Sequence, residues 1–254
     1  MFLSPRLAIL IAVFFFTSVL SVITGSTSLI TVPVMIQFGI EPHVAIATNM
    51  LALVFMSAGG SLAFVRRGVL VRRILPANIL VTVAGSLLGA LLLFKTSGRT
   101  LDLVIALAMT AVAMFSLLRK NFGAVETDGI VSSGRRFGGY ATTFLLAIYG
   151  GLFSGGYVTM LTYTFVALFG MTLLQAVAAT KVVNVFSSAV ATLVFLHRGI
   201  VDYRLGIILG ITMFIGAIVG GRVALKLSSA WIRRVFIATV FCLAAKMAWT
   251  AFLA

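Results

Sequence analysis

Acidic residues are nearly missing from this chain: its 254 residues include only five Asp and Glu. Charged residues make up 9% of the total, and there are two histidines, four prolines and one cysteine. Soluble domains carry about a quarter charged residues and about half apolar ones. Here 61% are hydrophobic and the mean hydropathy is +1.21, so the chain cannot cover a water-facing surface. The lone Cys242 excludes an intramolecular disulfide and reads as a packing residue in an apolar run. There is no HExxH zinc pair and no P-loop, and GLFSG (151–155) lacks the GxSxG spacing and a supporting histidine. Neither a cofactor nor an enzymatic reaction is expected. The 19 Lys and Arg leave a net charge of +14, which in a soluble protein would suggest nucleic acid. The imbalance comes from missing acids, and the basic residues fall in short clusters between long apolar runs. That pattern sets nucleic acid aside and points to the lipid bilayer as the chain's main partner.

Backbone amides in lipid must be satisfied internally, by helices or by a closed barrel. A barrel would show short alternating segments; this chain shows continuous runs, so it is expected to be an all-α polytopic membrane protein. About 20 apolar residues cross a hydrocarbon core of about 30 Å. Eight runs are long enough, at roughly 7–24, 44–65, 74–94, 101–118, 137–153, 175–196, 205–224 and 235–253. The first is longer than the core of a secretory signal and is kept as a span. Two more runs, 27–40 and 157–170, have about 14 residues and reach about 21 Å, too short for an upright crossing. Each follows a glycine break, Gly25 or Gly155 and Gly156, and reads as a broken or re-entrant helix sheltered from lipid.

Residues 119–136 form the one sizeable polar stretch and divide the chain into halves 1–118 and 137–254. A shift of 131 residues aligns 25–97 with 156–228 without a gap, at about a quarter identity. Gly25, Gly39, Ser57, Arg67, Gly68, Gly85, Gly89 and Lys95 meet Gly156, Gly170, Ser188, Arg198, Gly199, Gly216, Gly220 and Lys226. Coincident Arg-Gly loops and glycine pairs at one offset point to duplication. The basic loop 66–73 and the linker are expected on the cytoplasmic side. Eight crossings with parallel halves and ten with inverted halves both remain open.

Duplicated halves interrupted at matching places suit a secondary transporter, because broken helices turn amide N–H groups toward an anion near the midplane. The first break offers Gly25, Ser26, Thr27 and Ser28; the second offers Gly155, Gly156, Tyr157 and Thr159. The spans that follow add Thr48, Asn49 and Ser57 in one half and Lys181, Asn184 and Ser188 in the other. Lys181, Asn184 and Ser188 share one helix face. A lysine within a span is costly and calls for a cavity or counter-charge; a bound anion would serve, and snorkelling to the interface is the alternative. Close packing and hydroxyl capping are the structural alternative for the breaks. GSLLG (85–89) and GAIVG (216–220) read as packing motifs. Glu41, His43, His197 and Asp202 lie at span ends, where solvation is the default and proton coupling the alternative.

The stretches GSTSLITVPVMIQFGIEPHVAIATN (25–49) and GGYVTMLTYTFVALFGMTLLQAVAATK (155–181), with RRG (66–68), HRGIVD (197–202), GSLLGALL and GAIVGGRVALKL, together resemble the TauE/SafE-type sulfite exporters, also called 4-toluene sulfonate uptake permeases. The resemblance covers essentially the whole chain. It departs in the single glycine of the first break, in Thr164 opposite Pro33, and in Val71 where the second half has Asp202. It implies a duplicated permease of the bacterial inner membrane for sulfite, sulfonates or similar small anions, driven by a proton or other ion gradient. A passive anion channel and a non-transporting membrane component are the competing readings. Homo-oligomerisation is left open.

Overall fold

The computed structural model describes residues 5–25, 27–97 and 132–226, together with Trp231 and Arg234. The described residues form helices: α1 (Pro5–Thr24), α2 (Ser28–Gln37), α3 (Pro42–Val65), α4 (Leu75–Leu93), α5 (Ser133–Leu152), α6 (Tyr157–Phe169), α7 (Leu173–His197) and α8 (Tyr203–Lys226). Five of them, α1, α3, α4, α7 and α8, are long and apolar enough to cross a bilayer. The expected spans 101–118 and 235–253 lie outside the described residues. The run at 137–153 corresponds to α5, whose Gly-, Thr- and Arg-containing first turns keep it out of that group. α5 also starts inside the expected linker: Ser132 Oγ accepts from the Arg135 amide at 3.4 Å, and a guanidinium N–H of Arg135 donates to the Ala167 carbonyl at 2.5 Å.

Helix ends follow local sequence. Glu41 caps α3 by accepting from the Val44 amide at 3.0 Å, with Pro42 in the first turn. A reciprocal capping box between Thr172 and Gln175 opens α7. Asp202 accepts from the Leu205 amide at the start of α8. Glu41 and Asp202, both expected at span ends, therefore act as caps, and His43 bridges Glu41 and the Thr96 carbonyl.

Polarity is inverted relative to a soluble protein. Leu80, Leu145 and Leu193 are 72%, 66% and 66% exposed, while Ser18, Thr31, Thr48, Ser57, Asn78, Ser86 and Lys181 are fully buried. Apolar side chains on the outside and hydroxyls within suit a surface that meets hydrocarbon rather than water.

Contacts fix the helix directions. Asn184 bonds Ser57 while Lys181 lies against Gly60, so α7 runs antiparallel to α3. Gly206 meets Thr48 and Leu51, Gly210 meets Phe55, and Gly221 meets Ala63, so α8 runs parallel to α3. Gly85 meets Phe144 and Gly89 meets Leu152, so α4 runs parallel to α5. α6 doubles back along α5, with Tyr157 on Gly150 and Phe169 on Gly139. Thus α3 and α7, which occupy matching places in the two halves of the sequence, point in opposite directions. Conformations also match across the 131-residue shift. Among the described residues, the six positive-φ glycines are Gly25 and Gly156 (75° and 80°), Gly39 and Gly170 (87° and 67°), and Gly68 and Gly199 (66° and 69°).

The glycine motifs join one half to the other. A Cβ on Gly89 would sit 1.9 Å from the Ile148 carbonyl oxygen, and one on Gly220 would sit 2.3 Å from that of Val19. Only glycine lets α4 reach α5, and α8 reach α1, at this distance. Each half's fourth helix is thereby packed on the other half's first.

Candidate anion site at the meeting of two helix breaks

Both breaks are buried and touch. Gly25 adopts φ +75°, and a Cβ there would come within 2.9 Å of the Thr159 amide nitrogen and 3.0 Å of Val158. Gly155, in turn, faces Leu29 of α2. Backbone from one interruption therefore rests on the N-terminal turn of the other short helix. The carbonyl of Gly155 accepts from the Tyr149 hydroxyl, and Gly156, at φ +80°, opens α6.

Around this contact the first-half candidates form a hydrogen-bonded set. Asn49 Nδ2 donates to Ser28 Oγ at 2.9 Å, and Thr31 donates to Asn49 Oδ1 at 2.7 Å. Thr27 is buried, with its hydroxyl 3.3 Å from Met56 Sδ. Thr48 is not part of the set: its hydroxyl accepts from the Asp202 amide at 3.0 Å and ties α3 to the α7–α8 loop. Ser26 lies outside the described residues.

The second-half candidates are less saturated. Asn184 Nδ2 donates to Ser57 Oγ at 2.6 Å, joining the two long spans, but Asn184 Oδ1 and Ser188 Oγ are buried with no hydrogen-bond partner. Tyr157 is fully buried; its hydroxyl lies beside Thr82 and Ser187 without a hydrogen bond of ordinary geometry. Thr159 is buried within the first turn of α6. Buried polar atoms without partners are costly, roughly 1–3 kcal/mol each. Two on α7, Asn184 Oδ1 and Ser188 Oγ, lie one turn apart and mark a place where water or a ligand would be retained.

Lys181 is fully buried, which excludes snorkelling. Its Nζ donates to the Ser21 carbonyl at 2.7 Å, and its stem lies against Gly60. The Ser21 carbonyl also accepts from the Gly25 amide at 2.8 Å, so the lysine holds the last turn of α1 just before the break, where the helix dipole favours a cation. The acids among the described residues, Glu41 and Asp202, cap helices at the opposite end of α3 and give it no counter-charge.

Sequence reasoning missed several groups. Ser21 acts through its carbonyl and carries no side-chain signature. Thr31 and Thr162 are separated by the repeat shift, and so are their partners Asn49 and Thr180: the Thr162 and Thr180 hydroxyls are 3.3 Å apart. That coincidence was available from the alignment. Ser86, inside a motif read only as packing, shares a 2.6 Å hydrogen bond with Ser187.

A buried polar centre at two apposed helix breaks, within an apolar-surfaced helical body, defines a membrane-transport type of architecture. The chain belongs to the TauE/SafE sulfite exporter family: residues 10–247 match that family's model. It is 32% identical over 246 residues to a protein of Sinorhizobium named probable membrane transporter protein ORF9, covering 95% of this chain and 92% of that one. It is 27% identical over 247 residues to the probable membrane transporter protein YfcA of Escherichia coli K12, covering 94% and 90%. A probable membrane transporter protein of Haemophilus influenzae is 27% identical over 241 residues, covering 95% and 94%. No solved structure matches the chain.

Proposed function

We propose that the protein is a secondary permease for a small anion, sulfite, a sulfonate or a related sulfur-containing species, bound where the two breaks meet. The observation that carries this reading is the apposition of Gly25 with Val158 and Thr159, beside Lys181 and the unpartnered Asn184 and Ser188. Short-helix N-termini supply amide dipoles of the right sign. Lys181 supplies the positive charge, and the threonine, serine and asparagine groups supply orienting hydrogen bonds. The opposed directions of α3 and α7 support an inverted duplication, in which one half rocks against the other and opens the site to each side in turn.

Orientation follows from the basic residues. Arg66, Arg67, Arg72, Arg73, Arg135 and Arg136 gather at the end where α3 stops and α4 and α5 start. That end faces the cytoplasm of a bacterial cell on this reading, and a proton or other ion gradient drives the cycle.

Uptake of labelled sulfite or a sulfonate into proteoliposomes, with and without an imposed ion gradient, tests the reading. Gradient-dependent accumulation that is lost in Lys181→Met is expected. A linear, gradient-independent flux would make the protein a channel, and unchanged uptake in the variant would remove Lys181 from the site.

A further inference from the structure

A second charged feature lies far from the breaks. Between the C-terminal ends of α3 and α8 is a cleft of about 550 Å³, into which Arg66, Arg67, Arg222 and Lys226 project. Among the described residues, none of the four is ion-paired and no acid lines the cleft. Four cations sharing one cleft repel one another, and an anion seated among them relieves that repulsion. The remaining wall is apolar, formed by Leu62, Ala63, Ile218 and Leu225. Beside it Leu62, Val219 and Val223 are 41%, 40% and 45% exposed on the surface that meets hydrocarbon.

The repeat supplies an internal comparison. Under the 131-residue shift, Arg222 corresponds to Leu91, Arg66 to His197 and Leu225 to Phe94. At that opposite end Phe94 packs edge-on against Phe195, with centroids 5.9 Å apart, and the Arg198 guanidinium stacks 5.0 Å over the Phe94 ring. The matching position is thus occupied by aromatic packing and carries fewer cations. Arg67 and Lys226 correspond to Arg198 and Lys95, but Arg66 and Arg222 have no arginine or lysine counterpart; the cleft lined by four cations lies at the end where the other arginines gather.

We propose that this cleft binds the headgroup of an anionic phospholipid from the surrounding leaflet. The phosphate sits among Arg66, Arg67, Arg222 and Lys226, and an acyl chain lies along the apolar wall toward Val219 and Val223. The amphiphilic lining favours a lipid over a soluble anion, and basic pockets between spans on the cytoplasmic side are suited to such headgroups. The site is separate from the central one and does not depend on what is transported.

Native mass spectrometry of the full chain in detergent, with phosphatidylglycerol or phosphatidylcholine added, tests this directly. Phosphatidylglycerol should be retained in preference, and Arg222→Gln/Lys226→Gln should lower its retention at least about tenfold, because the loss of even one charge-assisted hydrogen bond is worth that much. Arg72→Gln/Arg73→Gln, which removes the same charge at the same end outside the cleft, should retain it as the parent does. If the first variant folds poorly by size-exclusion, Arg66→Gln/Arg67→Gln gives the same readout. Equal retention in the cleft variants and the parent would overturn the proposal. So would an equal loss in the control, which indicates general surface charge, or full displacement by millimolar inorganic phosphate, which indicates a soluble-anion site.

Discussion

Lys181 concentrates the residue-level argument. A fully buried ammonium with one carbonyl partner is an expensive arrangement, and breaking or replacing such groups has opposite effects on stability and function. Lys181→Met keeps the stem against Gly60 and removes the charge. It should leave the melting temperature in detergent unchanged or raised while transport falls at least about tenfold, the value of one charge-assisted hydrogen bond. A large drop in melting temperature would instead confine the lysine's role to holding the last turn of α1. Ser188→Ala makes a parallel case, because its hydroxyl has no protein partner. Stability should be unaltered, and the substrate concentration for half-maximal uptake should rise several-fold, as judged from initial rates. The sequence singled out Lys181, Asn184 and Ser188 because polar residues on one face of an apolar span are costly and therefore conspicuous. It could not reveal the Ser21 carbonyl as the lysine's partner, since every residue has one. Thr48 looked equivalent to Asn49 but sits one position round the helix, and that rotation turns it to the Asp202 amide.

At the level of elements, glycine positions set which helices can touch. Gly89→Ala would drive a methyl into the Ile148 carbonyl, so α4 and α5 must separate. The expected cost is about 1–3 kcal/mol, read as a lower melting temperature in detergent. Gly138→Ala, on the same α5 but with open space around it, should be neutral or slightly stabilising. Gly25→Ala combines a left-handed backbone with the clash at Thr159 and should be among the most damaging single changes. Element boundaries were legible: runs at 44–65, 74–94, 175–196 and 205–224 became helices Pro42–Val65, Leu75–Leu93, Leu173–His197 and Tyr203–Lys226. Apolarity fixes length well because hydrocarbon tolerates little else. α5 begins at Ser133, ahead of the apolar run at 137–153; arginine and glycine in a helix's first turns look like linker.

For the molecule as a whole, direction was the missing quantity. Apolar periodicity is the same read up or down a helix, so parallel and inverted halves were indistinguishable until Asn184–Ser57 and Lys181–Gly60 set α7 against α3. On that basis the ends of the molecule can be assigned to sides. With Cys242 replaced by alanine, a cysteine introduced at Arg72 and one at Tyr203 should lie on opposite faces. A membrane-impermeant maleimide should label position 203 in intact cells and position 72 only after lysis. Labelling of both from one side would dismiss the inverted arrangement.

The central claim is that one anion is held jointly by both breaks. Calorimetric titration of the detergent-solubilised protein with sulfite or a sulfonate measures this most directly, using the parent, Asn49→Leu from the first half and Ser188→Ala from the second. One anion per chain is expected, with weaker binding when either half is altered. Two independent sites, or an affinity indifferent to one of the halves, would contradict the account.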